Sequence, residues 1–317
     1  MAATQPSRWQ SVHGVMLLDK PRGCTSQNAL QQVRRALRAE KAGHTGTLDP
    51  LADGLLPLCF GAATKFAQIH LEADKAYRAV LQLGVTTTTD DAEGEVVERR
   101  SVPDITQDGL SAVLQGFAGN IAQIPPIYSA LKRAGRPLYA YARAGQEVQV
   151  QPRMVRIDTI EWAGLEGSLL TLDVRCGKGT YIRALARDIG QALGCGAHLA
   201  ALRRTASGGF DVRQACTLDA LRELDAESAQ GHLLPVDCLV QDLPRVDLDV
   251  SQSARMLHGQ SLALDPAPDL RQGSVRLHGF TDSNTPCFLG IARWDGHALS
   301  PQRLLSNEEL QHAVNTP

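Results

Sequence analysis

The chain has 317 residues, of which 43% are hydrophobic and 21% are charged. This composition is ordinary for a globular protein, and the length predicts two domains or one large domain with an appendage. The net charge of −2 and the isoelectric point near 6.5 argue against a protein that coats nucleic acid by bulk charge, but they do not exclude a local basic patch.

The seven cysteines are scattered along the chain, and none belongs to a C-x-x-C pair. This pattern supports neither a zinc site nor a disulfide framework, and thiols kept reduced in the cytosol fit it best. The N-terminal segment MAATQPSRWQ lacks the apolar core of a signal peptide. No run approaches the ~20 apolar residues that span a membrane. We therefore expect a soluble cytoplasmic protein with no membrane partner.

The N-terminal part of the chain predicts a strand, a helix and a loop in turn. GVMLLDKPRG (14–23) is typical of a short buried strand that ends in a turn. Thr25 or Ser26 can cap the helix that follows, whose apolar residues recur at helical spacing to about Ala39. A loop rich in Gly and Thr comes next, and DKAYRAVLQLGV (74–85) then carries strand-forming residues.

Helices and strands remain mixed in the middle of the chain. Apolar residues recur at helical spacing over 110–117, and LLTLDVRC (169–176) alternates like a half-buried strand. Thr180 can cap a helix whose apolar face extends from Ile182 to Leu193. Because no regular βαβ rhythm is present, we predict an α+β fold with a mixed, largely antiparallel central sheet flanked by helices, rather than a doubly wound fold.

The character of the sequence changes at about Arg245. VRLHGF, FLGIARWDG and ALSPQRLL are typical of short strands separated by turns. AQGHLLPVDCLVQDLP (229–244) precedes them and is a plausible linker. We expect a first domain over 1–240 and a small β-rich domain over 245–317.

The segment GHTGTLDPLADGLLPLCFG (43–61) places a carboxylate, Asp49, among leucines. Asp-Pro often starts a turn, so Asp49 could be a turn residue without a chemical role. However, three glycines permit unusual backbone angles or the close approach of another molecule, and the leucines predict a packed loop. A carboxylate in such surroundings usually has a partner or a function. A phosphate-binding G-x-x-x-x-G-K-[ST] motif is absent, and a metal site from Asp49 and Asp53 is weakly supported. A nucleophile or a general base fits better.

Several segments resemble those of one enzyme family. GHTGTLDPLADGLLPLCFGAATKF resembles the signature loop of the TruB-type tRNA pseudouridine synthases. The other family segments are also present, and along the chain they appear in the expected order as GVMLLDKPRGCTS before this loop and DKAYRAVLQLGVTTTTDDAEGE, QIPPIYSALKRAGRPLYAYARAG, RCGKGTYIRALARDIG and LRRTASGGF after it. The resemblance covers roughly 12–210 and continues more weakly to the end. Asp53 and Leu55 stand where Thr and Val are usual, and Gly177 where Ser is common, but none of these is a presumed catalytic position.

The resemblance implies an isomerase that converts the T-loop uridine of tRNA to pseudouridine without a cofactor or a metal. The base would be flipped out of its stack, detached from the ribose at nitrogen and rejoined through carbon. Asp49 matches the essential aspartate, which is either a nucleophile or a base that removes the C2′ proton. Tyr77 matches the residue that packs on the target base, and Arg183 matches the arginine that pairs with the aspartate. Without the resemblance, Tyr77 could be a core residue and Arg183 a solvated helix charge.

Two basic stretches indicate an RNA-binding surface. Residues 131–156 and 175–204 each contain six basic residues against a single acid, and tyrosines lie in or beside the first stretch. Such stretches suit phosphate contacts and base stacking, although a solvated face is the common alternative. Lys65 could equally be a surface charge, and the resemblance implies that His44 stacks into the RNA loop. The residues expected to bind RNA are His44, Lys65, Lys132, Arg136, Tyr139, Arg143 and Tyr181.

The C-terminal piece is PUA-like by the same resemblance and would touch the acceptor-arm side of tRNA, although a structural cap would look similar. An alternative function is a non-catalytic tRNA-binding or tRNA-folding module on the same scaffold. The combination of Asp49, Tyr77 and Arg183 favours catalysis. Nothing in the sequence demands more than a monomer.

Overall fold

A ten-stranded sheet forms the centre of the molecule, and a separate five-stranded sheet is formed near the C-terminus. The structure is a computed structural model that describes residues 9–129, 131–133, 135–138, 141, 144, 146, 148–264, 270–281, 283 and 285–314. At 132–133, 136–137 and 313–314 it describes the backbone alone.

The strands of the central sheet come from nearly the whole first two-thirds of the chain. Their bounds are β1 Gly14–Lys20, β2 Ala42–His44, β3 Ala52–Phe60, β4 Lys75–Leu83, β7 Gly119–Gln123, β10 Arg153–Glu166, β11 Leu169–Cys176, β12 Ala197–Ser207, β13 Phe210–Asp211 and β14 Cys216–Thr217. The spatial order is β14-β1-β3-β12-β4-β11-β10-β7, with β2 on β3 and β13 on β12. Neighbouring strands are antiparallel except in the pairs β1–β14 and β3–β12. The predicted α+β fold with a mixed, largely antiparallel sheet is confirmed.

The remaining strands form two short ribbons and the C-terminal sheet. Their bounds are β5 Val85–Thr87, β6 Val96–Arg99, β8 Lys132–Arg133, β9 Arg136–Pro137, β15 Arg245–Asp247, β16 Leu262–Ala263, β17 Gly273–Phe280, β18 Pro286–Trp294 and β19 Ala298–Leu304. β5 pairs with β6, β8 pairs with β9, and the C-terminal sheet has the order β15-β17-β18-β19-β16.

Short helices pack around the two sheets. Their bounds are α1 Ser26–Ala36, α2 Ala67–Leu71, α3 Gln107–Gln115, α4 Ile182–Ala192, α5 Leu218–Arg222, α6 Ala226–Gln230, α7 Val250–Leu257 and α8 Asn307–Val314. Single turns of 3-10 helix occur at Gly61–Lys65, Val212–Gln214 and Val236–Val240. Within the described ranges, no helix has the length and apolarity needed to cross a membrane.

Two of the predicted helix ends differ from the structure. Thr25 caps α1, because its hydroxyl accepts a hydrogen bond from the Asn28 amide at 3.1 Å. The helix nevertheless ends at Ala36 rather than near Ala39, since Arg38 takes a left-handed φ of 53° that no helix can continue through. Thr180 was the expected cap of α4, but its hydroxyl donates to the Gly177 carbonyl at 3.1 Å, and the residue before the helix is Tyr181.

β1 and β3 are buried on both faces, which corrects the prediction of a loop over 43–61. Alternate residues of each strand point to different cores. Met16, Leu18, Leu56 and Leu58 belong to the main core beneath α1, whereas Val15, Leu17, Leu55 and Cys59 belong to a second core shared with the C-terminal sheet. A strand buried on both faces has no polar alternation, so its leucines resemble those of a packed loop.

The segment predicted as a linker, 229–244, is packed against the central sheet. Leu234 exchanges main-chain hydrogen bonds with Val15, at 2.8 and 2.9 Å. Leu239 and Val240 are buried in the second core. The central and C-terminal sheets therefore share an apolar contact along this segment.

Gly54 lies where β3 approaches β12 closely. Its φ is +100°, and a Cβ built on it would lie 2.3 Å from the Arg204 carbonyl oxygen. The sequence had suggested that the glycines of 43–61 admit another molecule, but the neighbour of Gly54 is the chain's own β12, where it pairs with Arg204. Glycine is required here by both the backbone angle and the space.

Gly54→Ala is expected to lower the free energy of unfolding by more than about 1 kcal/mol, because alanine disfavours this φ and has no room. Urea denaturation of the variant and the wild type measures the change. Gly164→Ala is the control, since Gly164 lies in the same sheet with ordinary φ and with nothing within 4 Å of the added Cβ. Equal stability of both variants would contradict the expectation.

Candidate active site

Asp49 lies in a tight turn between β2 and β3 that is anchored to α1. The Ser26 hydroxyl donates to the Leu48 carbonyl at 2.9 Å and accepts from the Leu48 amide at 2.8 Å. The Gly23 amide donates to the Pro50 carbonyl at 2.7 Å, so the turn is held on both sides of the aspartate. The Asp49 side chain nevertheless remains 41% exposed. The fold thus presents a carboxylate to solvent on a backbone with little freedom.

Arg183 is the buried partner of this carboxylate, as the resemblance implies. Its Nε lies 3.0 Å from Asp49 Oδ2, and its side chain is only 8% exposed. Its Nη atoms donate to the carbonyl oxygens of Thr89, at 3.3 Å, and Tyr128, at 2.9 Å. Nη1 also lies 3.5 Å from Asp91 Oδ2. The first turn of a helix disfavours a cation, and these acceptors supply the compensation.

Asp91 is a member of this cluster that the sequence interpretation missed. Its side chain is 4% exposed. Oδ1 accepts from the Thr89 hydroxyl at 2.5 Å and from the Glu93 amide at 3.1 Å, which leaves Oδ2 facing Arg183. The sequence offered only a polar stretch, TTTTDDAEGE, in which no pattern distinguishes this acid from its neighbours.

The charges around Asp49 act in opposite directions on its pKa. Burial raises the pKa of Asp49, the Arg183 guanidinium lowers it, and the Asp91 carboxylate raises it again. Lys20 lowers the pKa of Asp49 more weakly. The Lys20 ammonium is fully buried and donates to the carbonyl oxygens of Pro21 and Cys24, at 2.9 and 2.6 Å. It therefore braces the turn after β1.

Tyr77 lies half-buried on β4 beside the main core, and its phenol lies near the Arg204 guanidinium. Burial raises the pKa of Tyr77, so the phenol is neutral. Arg204 is 1% exposed, and it donates to the carbonyl oxygens of Leu55, at 2.6 Å, and Gly46, at 3.4 Å. One buried guanidinium thus bonds to both sides of the Asp49 turn and lies near Tyr77. The sequence had shown Arg204 only as one charge of a basic stretch.

His44 and Tyr181 are half-buried residues that lie close in sequence to Asp49 and Arg183, respectively. Burial lowers the pKa of His44, which favours the neutral ring, and its Nδ1 has no hydrogen-bond partner among the described residues. The main chain of Tyr181 is bound by the Gln123 amide group, with contacts of 2.8 and 3.1 Å. Tyr181 directly precedes α4 and therefore lies two positions from Arg183.

The other residues expected to bind RNA belong to other parts of the chain. They are Lys65, Lys132, Arg136, Tyr139 and Arg143. The Lys65 ammonium bonds within the chain, to Glu309 at 2.5 Å and the Leu304 carbonyl at 3.0 Å, so it supports the contact with the C-terminal sheet and α8. Lys132 and Arg136 lie on the ribbon of β8 and β9, of which the backbone alone is described. Tyr139 and Arg143 lie outside the described residues.

Most basic residues of the stretch 175–204 form ion pairs, chiefly with acids from other parts of the chain. Its ion pairs are Lys178 with Glu72, Arg183 with Asp49 and Asp91, Arg187 with Asp90 and Asp188, and Arg203 with Asp19 and Asp53. Arg204 is buried, and Arg175 is exposed. Four of its six cations, those of Lys178, Arg183, Arg187 and Arg203, are therefore paired with acids of this chain.

Asp91→Asn is expected to lower the pKa of Asp49 for two reasons. The substitution removes a like charge, and the Arg183 guanidinium is then no longer shared between two carboxylates. Carboxyl carbon chemical shifts followed against pH measure this change. Asp173→Asn is the control, since Asp173 pairs with Arg78 on an exposed face of the sheet. An Asp49 pKa that is the same in the wild type and in both variants would contradict the expected coupling.

Three family descriptions match successive parts of the chain. They are "TruB family pseudouridylate synthase (N terminal domain)" at residues 34–182, "tRNA pseudouridylate synthase B C-terminal domain" at 183–241 and "Pseudouridine synthase II TruB, C-terminal" at 244–305.

Relatives and a solved structure agree with these matches along most of the chain. The proteins named tRNA pseudouridine synthase B from Azoarcus sp. (strain BH72) and Ralstonia pickettii (strain 12J) are 52% and 53% identical to it. These matches cover 94% and 93% of this chain and 96% and 95% of the relatives. A chain in the crystal structure of a Cbf5-Nop10-Gar1 complex superposes with a TM-score of 0.70 at 28% identity, covering 96% of this chain and 89% of that one. The chain therefore belongs to the TruB family of pseudouridylate synthases.

Proposed function

We propose that this protein converts a uridine in the T-loop of tRNA to pseudouridine. The proteins that are about half identical to it along nearly their whole length carry the name tRNA pseudouridine synthase B, which makes it an isomerase acting on tRNA. The T-loop is proposed as the site of modification because the Asp49 segment resembles the signature loop of the family. The observation that carries catalysis is the partly exposed Asp49 carboxylate, 3.0 Å from a buried Arg183.

The proposed reaction breaks the bond between ribose C1′ and N1 of the uracil and forms a bond between C1′ and C5. C5 loses its proton and N1 gains one, so the product is an isomer of the substrate and nothing is oxidised. A base inside a folded loop must leave its stack before this chemistry can occur. The half-buried ring of Tyr77 beside Asp49 is the face proposed to receive the extruded base.

We consider two roles for Asp49 in this reaction. As a nucleophile, its carboxylate would attack the sugar, and as a base, it would remove the C2′ proton. Either role requires the ionised form. Arg183 favours that form through a charge-assisted hydrogen bond, against the effect of burial.

A non-catalytic tRNA-binding module is the second candidate, and it is not favoured. Such a module has no need of a turn that holds a carboxylate against a buried guanidinium. Its relatives would also not be expected to carry the name of an enzyme.

We further propose that residues 1–240 form the catalytic domain and residues 245–317 a small domain that extends the tRNA contact. The five-stranded sheet and the ion pair between Lys65 and Glu309 support a C-terminal unit attached to the catalytic sheet. We also propose that the protein acts as a monomer in the cytoplasm, where tRNA and reduced thiols are found.

Asp49→Asn is expected to abolish pseudouridine formation, because the amide keeps the shape but can neither attack the sugar nor accept its proton. Unmodified tRNA transcript is incubated with each protein, and pseudouridine is located by chemical mapping. Asp53→Asn is the matched control, since Asp53 lies on the next strand and pairs with Arg203 at 2.6 Å. An active Asp49→Asn variant would remove Asp49 from the reaction. An inactive wild type would contradict the proposed function.

Binding of tRNA is expected to weaken steeply as salt increases, because lysine and arginine contacts to phosphate release counterions. Lys132→Gln should reduce the slope of log affinity against log salt by about 0.7–0.9, the contribution of one phosphate contact. Filter binding over a salt series measures the slope. Arg203→Gln is the control, because its cation is already paired with Asp19 and Asp53, and its slope should equal that of the wild type. A slope unchanged in Lys132→Gln would exclude that contact.

A further inference from the structure

Arg183 is oriented by groups from two separate segments in addition to Asp49. The turn after β5 supplies the Thr89 carbonyl and the Asp91 carboxylate. The segment after β7 supplies the Tyr128 carbonyl at 2.9 Å. Any shift of either segment changes the direction in which the Arg183 guanidinium points, and so the position of Asp49.

The turn after β5 contains a backbone conformation that needs support. Asp90 has a left-handed φ of 61°, which is uncommon for residues other than glycine and tolerated best by Asn and Asp. Its carbonyl accepts from the Leu199 amide at 3.0 Å, which ties one side of the turn to β12. Its carboxylate points to the other side, toward α4, and meets Arg187.

Arg187 lies one helical turn beyond Arg183 on the same side of α4. Its Nη1 donates to Asp90 Oδ2 at 3.0 Å, and its Nη2 donates to the Ile124 carbonyl at 3.0 Å. Its Nε donates to Asp188 Oδ1 at 2.9 Å. The planar guanidinium therefore bonds in three directions, which a lysine ammonium on a flexible chain does not reproduce.

We propose that Arg187 is a positioning residue for the active-site arginine: it joins the Asp90 turn to the Ile124–Tyr128 segment and thereby holds both sets of acceptors around Arg183. Arg187 itself bonds to neither Asp49 nor Arg183 in the contacts described. The inference rests on the proposed function, since its effect appears in the rate of that reaction.

A positioning role and a purely stabilising role of this pair predict different results. The side chains of Arg187 and Asp90 are 28% and 18% exposed, so the loss of either partner leaves the other charge largely buried and is expected to lower the melting temperature. A positioning role also lowers the reaction rate of the protein that remains folded. tRNA affinity should also be unaffected, because both charges are turned toward each other.

The test measures single-turnover pseudouridine formation at saturating tRNA, the Kd for tRNA, and the melting temperature. Arg187→Gln is expected to be roughly 10- to 100-fold slower than the wild type with an unchanged Kd, because small misplacements of catalytic groups cost about that much. Asp90→Ala should be slowed similarly. Asp90→Asn should be close to the wild type, since its amide oxygen still accepts from Arg187 and Asn tolerates the left-handed backbone. Arg78→Gln is the matched control, because it removes an arginine paired with an aspartate between neighbouring strands.

Each outcome decides between the alternatives. Wild-type rates in Arg187→Gln and Asp90→Ala would overturn the proposal, and so would a slow rate that is fully explained by a weaker Kd. If Arg187→Gln unfolds during the assay, the rate and the Kd of Asp90→Ala and Arg187→Lys decide instead. Arg187→Lys keeps the charge without the three-way bonding. An inactive wild type would instead contradict the proposed function, so failure of the positioning role can be distinguished from failure of the proposed function.

Discussion

A buried guanidinium that holds a partly exposed carboxylate is the interaction on which the rest of the site depends. Arg183 is nearly removed from water, and burying a cation is costly unless several acceptors surround it. Those acceptors come from the turns near Asp49 and Asp91 and from the segment ending at Tyr128. Three parts of the chain that are distant in sequence must therefore converge on one side chain of α4, and the central sheet is the frame that brings them together.

The same sheet explains why the turn of Asp49 is rigid. β3 follows the turn directly, and its two faces are buried in two different cores. On the other side, Ser26 of α1 binds the main chain of Leu48 twice. Arg204 adds a third constraint, because its guanidinium donates to the carbonyl oxygens of Gly46 and Leu55 on the two sides of the turn. Positional precision of this kind is what an enzyme needs when it acts mainly by orientation and electrostatics.

Much of the local structure could be predicted from the sequence, and long-range pairing could not. Periodicity located β1, α1, β11 and α4, and the resemblance identified Asp49 and its partner Arg183. The end of α1 depended on the left-handed backbone of Arg38, and β3 was mistaken for a loop because burial on both faces removes alternation. Ion pairs such as Arg187 with Asp90, 97 positions apart, leave no local pattern. For that reason the sequence did not reveal that four cations of the basic stretch 175–204 have acidic partners within the chain.

The central claim is that Arg183 acts on Asp49 and not simply on the fold or on tRNA affinity. Arg183→Lys tests it most directly, because lysine keeps the charge but cannot reach the acceptors on three sides. Single-turnover pseudouridine formation at saturating tRNA is measured together with the Kd for tRNA. The account predicts a rate lower by about 100-fold or more, since misplaced catalytic groups cost that much, with an unchanged Kd. A wild-type rate in Arg183→Lys would contradict it.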